Sequence, residues 1–251
     1  MGCIIAVAGK GGTGKTTLAA MIVRHLVERG LRPVLAIDAD ANDNLADALG
    51  IEDHGSIAYL TDDFFKNRMK IPQGMPKEAY LEMMLNTVIT ETRDIDLLVM
   101  GHPEGAGCYC YVNNVLRSHM EKLVNNYPCV VIDNEAGMEH ISRRTTRKMD
   151  KLLLVADYSA KAVKAAGRIR EVALELDLGV GEMGLVVNKA PPDVSPLHKA
   201  IEASGLSLWR TIPASERVLQ NDVGGGSVFS LPDDDPALVA VGELVEKITG
   251  R

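Results

Sequence analysis

The segment Gly9-Lys10-Gly11-Gly12-Thr13-Gly14-Lys15-Thr16 has the spacing G-x-x-x-x-G-K-[ST] of a loop that wraps a polyphosphate. Gly9, Gly11, Gly12 and Gly14 let backbone N–H groups turn inward around an anion without Cβ clashes. The chemistry this predicts is phosphoryl transfer. Lys15 reaches the β- and γ-phosphates, and the Thr16 hydroxyl binds Mg²⁺. Thr13 and Thr17 complete the loop residues expected around the phosphates. Lys10 is not required by the pattern. It either raises the local positive potential or projects away to meet another subunit's nucleotide.

Two acidic stretches have the spacing to serve that loop. Asp38-Ala39-Asp40 follows one apolar run, with Asp43 and Asn44 just beyond. Acids at the carboxyl end of a strand beside a phosphate loop suit Mg²⁺ support or water positioning. We assign Asp40 a functional role and Asp38 support of Mg²⁺ from a second layer. Asp43 is either functional or, like Asn44, a cap for a helix over residues 45–49. Asp133-Asn134-Glu135-Ala136-Gly137 follows another apolar run. Asp133 sits where a Walker B acid holds Mg²⁺ through water, and Gly137 can turn its backbone toward a γ-phosphate.

Asn188-Lys189-Ala190-Pro191 begins like the N-K-x-D base-reading motif. Pro191 stands where an Asp would accept hydrogen bonds from guanine, which leaves the Asn188 amide to meet adenine and favours ATP over GTP. Ile212-Pro213-Ala214 is expected to wall the base with its backbone.

Cys108 and Cys110 lie in a Gly-rich stretch, residues 101–111. In an extended segment, residues two apart project to one face. Two thiolates can then share a soft metal ion such as Ni²⁺ or Zn²⁺, whereas a disulfide between such near neighbours is strained. One chain supplies two ligands, and a two-fold axis through the loop would supply four. His102, His119 and His140 are possible further ligands, each read more simply as a loop or surface histidine.

The elements that must hold these residues alternate. Apolar runs at residues 3–8, 33–37, 95–100, 129–132, 151–156, 183–188 and 206–212 read as buried strands. Amphipathic segments at residues 18–27, 77–92, 111–125, 161–176, 195–203 and 236–248 read as helices. This pattern predicts an α/β fold, a single doubly wound and mostly parallel sheet with helices on both faces. No repeat or linker interrupts it, so we expect one domain over residues 1–251. Ligands in such sheets bind at the carboxyl ends of the strands, where all the motifs fall.

The chain has 251 residues, 46% hydrophobic and 4% aromatic, which provides one substantial core of aliphatic side chains. A net charge of −7 without a long basic run argues against nonspecific nucleic-acid binding. No apolar stretch approaches the roughly 20 residues of a membrane span. No basic segment precedes a hydrophobic one at the start, so a cytoplasmic location is expected. Cys3 and Cys129 fall in expected strands, where free Cys acts as a small hydrophobe.

The loop with its early Lys10 resembles the deviant Walker A signature of the dimerising ATPases that include MinD, ParA and the nitrogenase iron protein. The resemblance implies a nucleotide-sandwich homodimer in which Lys10 crosses to the partner's phosphates. It also implies that Asp40 orients the hydrolytic water, so that Lys10, Lys15 and Asp40 are the catalytic set. Asp133 to Gly137 resembles the D-T-P-A-G switch of the same group, with Asn134-Glu135 replacing Thr-Pro. Taken with the C-x-C pair, the order of motifs resembles the CooC-type ATPases, which assist nickel insertion into carbon monoxide dehydrogenase. That implies ATP-driven dimerisation that assembles a Cys108/Cys110 site between subunits, with the dehydrogenase catalytic subunit as partner. The alternative is a MinD- or ParA-like positioning ATPase with a structural zinc. Against it stand the C-terminal segment, which reads as part of a folded helix, and the lack of a basic surface. An iron–sulfur reductase would need two widely separated ligand cysteines, and Cys129 begins a strand.

Overall fold

The computed structural model describes residues 2–40, 42–66, 71–101, 110–135 and 149–250, with backbone alone at residues 65–66, 110–114 and 117. Cys3–Gly9 (β1) leads through the Gly-rich loop into Lys15–Glu28 (α1). Val34–Ala39 (β2) is followed by Asn44–Leu49 (α2), Ile57–Lys66 (α3) and Lys77–Thr87 (α4). Thr90–Glu91 (β3), Ile95–Val99 (β4), Cys110–Leu123 (α5) and Cys129–Asn134 (β5) come next. The remainder is Met149–Ala156 (β6), Ala160–Glu175 (α6), Val180–Ala190 (β7), His198–Ser204 (α7), Ser207–Pro213 (β8), Glu216–Val223 (α8) and Pro236–Thr249 (α9).

The strands form one eight-stranded sheet in the order β3-β4-β2-β5-β1-β6-β7-β8. Among the described residues, only β3 runs antiparallel to its neighbour. Strands of a parallel sheet are covered on both faces, which is why β1, β2 and β5 are almost continuously apolar. Alternation splits their residues between two cores. Ile4, Ala6 and Ala8 point with Leu35 and Ile37 toward α3 to α7. Ile5 and Val7 point with Val34 and Ala36 toward α1, α2 and α9. The expected doubly wound sheet is therefore the observed one.

Several local expectations shift. The helix expected over residues 77–92 ends at Thr87, and its tail pairs as β3 with β4. Thr92 closes this hairpin, its amide and its hydroxyl both donating to the Ile95 carbonyl, and the β-branched Val88, Ile89 and Thr90 favour the extended form. The segment at 195–203 divides into a 3-10 turn, Ser195–Leu197, and α7. α3 and α8 add to the helices read from the sequence. Among the described residues, no helix is long and apolar enough to cross a membrane.

Candidate active site

β1 is the fourth strand from the β8 edge, inward of β8, β7 and β6, and it delivers the loop to the carboxyl end of the sheet. Gly12 and Gly14 take φ of +80° and +81°, a region that strains a side chain. A Cβ on Gly9 would lie 2.3 Å from the Val155 carbonyl oxygen, so β6 can pass directly beneath the loop. The Thr13 hydroxyl donates to the Lys10 carbonyl at 2.8 Å and closes the loop. Gly14 begins α1 with no side-chain cap, so the helix's positive end is left to the loop. Lys15 is buried beneath it, whereas Lys10, Gly11 and Gly12 are exposed.

The acids converge through strand register. Asp38 on β2 and Val7 on β1 both pair with Asp133 on the intervening β5. The Thr16 hydroxyl donates to Asp133 Oδ2 at 2.5 Å. Asp133 Oδ1 is buried with no hydrogen-bond partner among the described residues. Burial pushes the Asp133 carboxyl up to about 7; Asp38 and Asp40 add to the rise, while the Thr16 bond and Lys15 oppose it. Burial likewise pushes Asp38 up to about 6, against the backbone hydrogen bonds it accepts. A buried acid with an unused oxygen, touching a hydroxyl, is a donor set for a hard divalent cation, and the residues fit Mg²⁺.

This arrangement sets a pH dependence for the metal-free protein. A carboxyl raised on folding binds its proton more tightly in the native state, so stability is fully present below about pH 4 and falls as pH rises through about 7. The cost above that range is on the order of 4 kcal/mol for Asp133. Asp133→Asn is therefore expected to raise the melting temperature in EDTA at pH 8 by about 5 °C or more, and the gain should vanish toward pH 4. Equal or lower melting of the variant at pH 8 contradicts this.

Asp38 does more local work than Mg²⁺ support. Its Oδ1 accepts the Asp40 amide at 3.0 Å, and its Oδ2 accepts the Leu45 amide at 2.8 Å. It thus caps α2 in place of Asp43, which occupies the N-cap position with φ +54° and makes no side-chain cap. Asp40 is half-buried and accepts the amide and side-chain nitrogens of Asn42 at 3.0 and 2.8 Å.

Asn188 differs from expectation in its contacts. Its Nδ2 donates to the Thr13 carbonyl at 2.9 Å and its Oδ1 accepts the Lys189 amide at 2.9 Å, so the amide braces the phosphate loop. Lys189 takes φ +53°, and its Cε lies 3.6 Å from where a Gly14 Cβ would sit. Beside them opens a cavity of about 430 Å³. Gly14, Thr17, Asn188, Lys189 and the segment Ile212-Pro213-Ala214 line it. Met21, Ser215, Val218, Leu219 and Asp222 also line it, and no motif pointed to them. The Thr17 hydroxyl donates to Asp222 Oδ2 at 3.2 Å across the cavity rim.

Cys108, His102, Gly137 and His140 lie outside the described residues. Cys110 is the first residue of α5, so the extended geometry expected for the pair does not hold at its second member. His119 lies further along α5, two and a half turns beyond Cys110 at the helical repeat, away from that end. No group of three or more metal-binding side chains gathers among the described residues.

A sequence model of the family described as the CobQ/CobB/MinD/ParA nucleotide binding domain matches residues 4–227. The chain is 37% identical over 251 residues to an uncharacterized ATP-binding protein of Methanocaldococcus jannaschii, covering 99% of each. It is 30% identical over 257 residues to the carbon monoxide dehydrogenase accessory protein CooC of Rhodospirillum rubrum, covering 97% of each. Among solved structures, a chain of the MinC:MinD cell division protein complex of Aquifex aeolicus matches with a TM-score of 0.73 at 21% identity. That match covers 99% of this chain and 96% of the other, and it shows a shared fold.

Proposed function

The chain belongs to the CobQ/CobB/MinD/ParA nucleotide-binding family and is an ATPase of that group, and on that premise we propose that it is a metallochaperone ATPase serving nickel insertion into carbon monoxide dehydrogenase. The observation that carries the reading is the position of the Cys-x-Cys segment. It follows β4, and β4 lies beside the strand that ends in the acidic turn. The Met100 amide donates to the Asp38 carbonyl at 2.8 Å, so the chain that leads to the cysteines is bonded to the turn that holds Asp40. The 30% identity to CooC along 97% of both chains supports the same reading.

The residues divide the work as follows. The loop amides of residues 9–17, with Lys15, hold the β- and γ-phosphates of ATP, and the cavity beside Pro213 takes the base. Thr16 and Asp133 would hold Mg²⁺, which neutralises charge on the phosphate oxygens. Asp40 orients a water in line with the γ-phosphorus. The water oxygen forms the new P–O bond, the bond to the bridging oxygen breaks, ADP departs, and the proton leaves with phosphate or solvent. Exposed Lys10 reaches the phosphates of a second copy of the chain. Cys108 and Cys110 from each copy hold the cargo, Ni²⁺ or Zn²⁺. Hydrolysis opens the dimer and releases the metal.

Lys10→Ala is expected to abolish the ATP-dependent shift to dimer in light scattering while ATP affinity stays within a few-fold of the wild type. Loss of both together contradicts a role across the interface. The function itself is tested by activating nickel-free carbon monoxide dehydrogenase with Ni²⁺, ATP and the protein. The proposal expects activation that requires hydrolysable ATP and both cysteines. ATP hydrolysis without activation would leave a MinD- or ParA-like switch ATPase.

A further inference from the structure

α8 forms the outer wall of the cavity through Glu216, Val218, Leu219 and Asp222, yet none of its residues is buried. A helix is normally held by burying an apolar stripe. Here Leu219 and Val223 are exposed instead. Val218 packs partly against the core, and polar contacts supply the rest of the hold on the wall.

The principal one is Ser215. Its Oγ accepts the Val218 amide at 3.2 Å and caps α8. Its hydroxyl donates to Asp235 Oδ2 at 2.6 Å. Asp235 is fully buried. Its Oδ1 accepts the amides of Ala237 at 2.9 Å and Leu238 at 3.4 Å and caps α9. α9 is fixed to the body of the protein by buried Leu238, Val241, Leu244 and Val245. One carboxylate thus ties the loosely packed cavity wall to a rigid helix. Burying a carboxylate costs free energy unless its oxygens are bonded, and Asp235 has a donor for each. A separate bond, Thr17 to Asp222, ties this wall to α1, and Thr17 belongs to the loop expected to receive phosphate. When a phosphate engages Thr17, the Ser215–Asp235 bond remains, beside the exposed Arg217–Asp234 pair and the Asn221 bonds to the Gly226 and Ser227 carbonyls.

We propose that Asp235 is a positioning residue for nucleotide recognition. Through Ser215 it fixes the wall against which the base of a nucleoside triphosphate packs, and so it sets affinity for the base and not for the phosphates. The proposal rests on the reading of the cavity as the base site. Asp235 itself is not among the residues that line the cavity, and it reaches the lining through the bonds it accepts from the Ser215 hydroxyl and the Ala237 amide.

The test is calorimetric titration of the full chain with ATP and, separately, with inorganic tripolyphosphate, both with Mg²⁺. Asp235→Ala and Ser215→Ala are each expected to weaken ATP binding about tenfold, the loss of one charge-assisted hydrogen bond. Tripolyphosphate affinity should stay within twofold. Ser215→Thr, which keeps the hydroxyl, should restore ATP binding. Unchanged ATP affinity in both alanine variants overturns the proposal, as does an equal weakening of tripolyphosphate, which would mark general loosening. If Asp235→Ala fails to fold, Ser215→Ala still decides. Wild-type protein that binds ATP no tighter than tripolyphosphate would overturn the base-site reading itself, and the proposal with it.

Discussion

Asp40→Ala is expected to lower kcat for ATP hydrolysis by about 10²- to 10⁴-fold, the range for removing a group that positions or accepts a proton in the transition state. ATP binding should persist. The separation follows from how the site is built. In the proposed mechanism binding rests on the loop, on Lys15 and on the cavity, none of which depends on the Asp40 carboxylate. The turn that carries Asp40 is set by Asp38, whose Oδ1 accepts the Asp40 amide. Removing the Asp40 side chain leaves that backbone bond intact, so the turn keeps its shape and loses only the carboxylate. The bonds that the Asp40 carboxylate accepts from the Asn42 backbone amide and side chain are lost as well, but they lie at an exposed position and contribute little. Single-turnover hydrolysis with saturating ATP reads the effect directly. A variant that hydrolyses within tenfold of the wild type would remove Asp40 from the mechanism. Loss of ATP binding in parallel would show that the carboxylate holds nucleotide instead.

The second large effect concerns the cargo. Cys108→Ser/Cys110→Ser is expected to weaken Ni²⁺ or Zn²⁺ binding at least about 100-fold, because a serine hydroxyl does not replace a thiolate toward a soft or borderline ion. ATP affinity should not change, since the cysteines follow β4 while the Gly-rich loop follows β1, three strands away in the sheet. Unchanged hydrolysis in the absence of metal would show that the two functions are carried by separate groups. Equal metal binding by variant and wild type would rule out the shared-site account.

The same separation explains what the sequence revealed. The phosphate loop, Asp133 and the wall at Pro213 were legible because their chemistry demands particular residue types at fixed spacing on one stretch of chain. The sheet was legible because buried parallel strands are apolar throughout. α8 was not, since it spans two turns, Glu216–Val223, and none of its residues is fully buried. β3 was not, because pairing with β4 overrode the helical pattern that precedes it. The contacts that redefine individual residues join distant parts of the chain. Asn188 reaches Thr13, and Ser215 reaches Asp235. Asp38 caps α2 from the preceding strand, although Asp43 stands at the usual capping position. Such partnerships are set by the tertiary fold, and residue type alone does not choose between a ligand-binding amide and one that braces a loop.

The most direct measurement of the central claim is metal stoichiometry under reducing conditions, with oligomeric state read by light scattering. Ni²⁺ and Zn²⁺ would be titrated separately into the protein with ADP, and into Asp40→Ala protein with ATP so that the triphosphate persists. The account predicts one metal ion per two chains in the ATP-bound dimer, absent when Cys108 and Cys110 are both serine. One metal ion per monomer, or a stoichiometry that survives the serine substitutions, would contradict it.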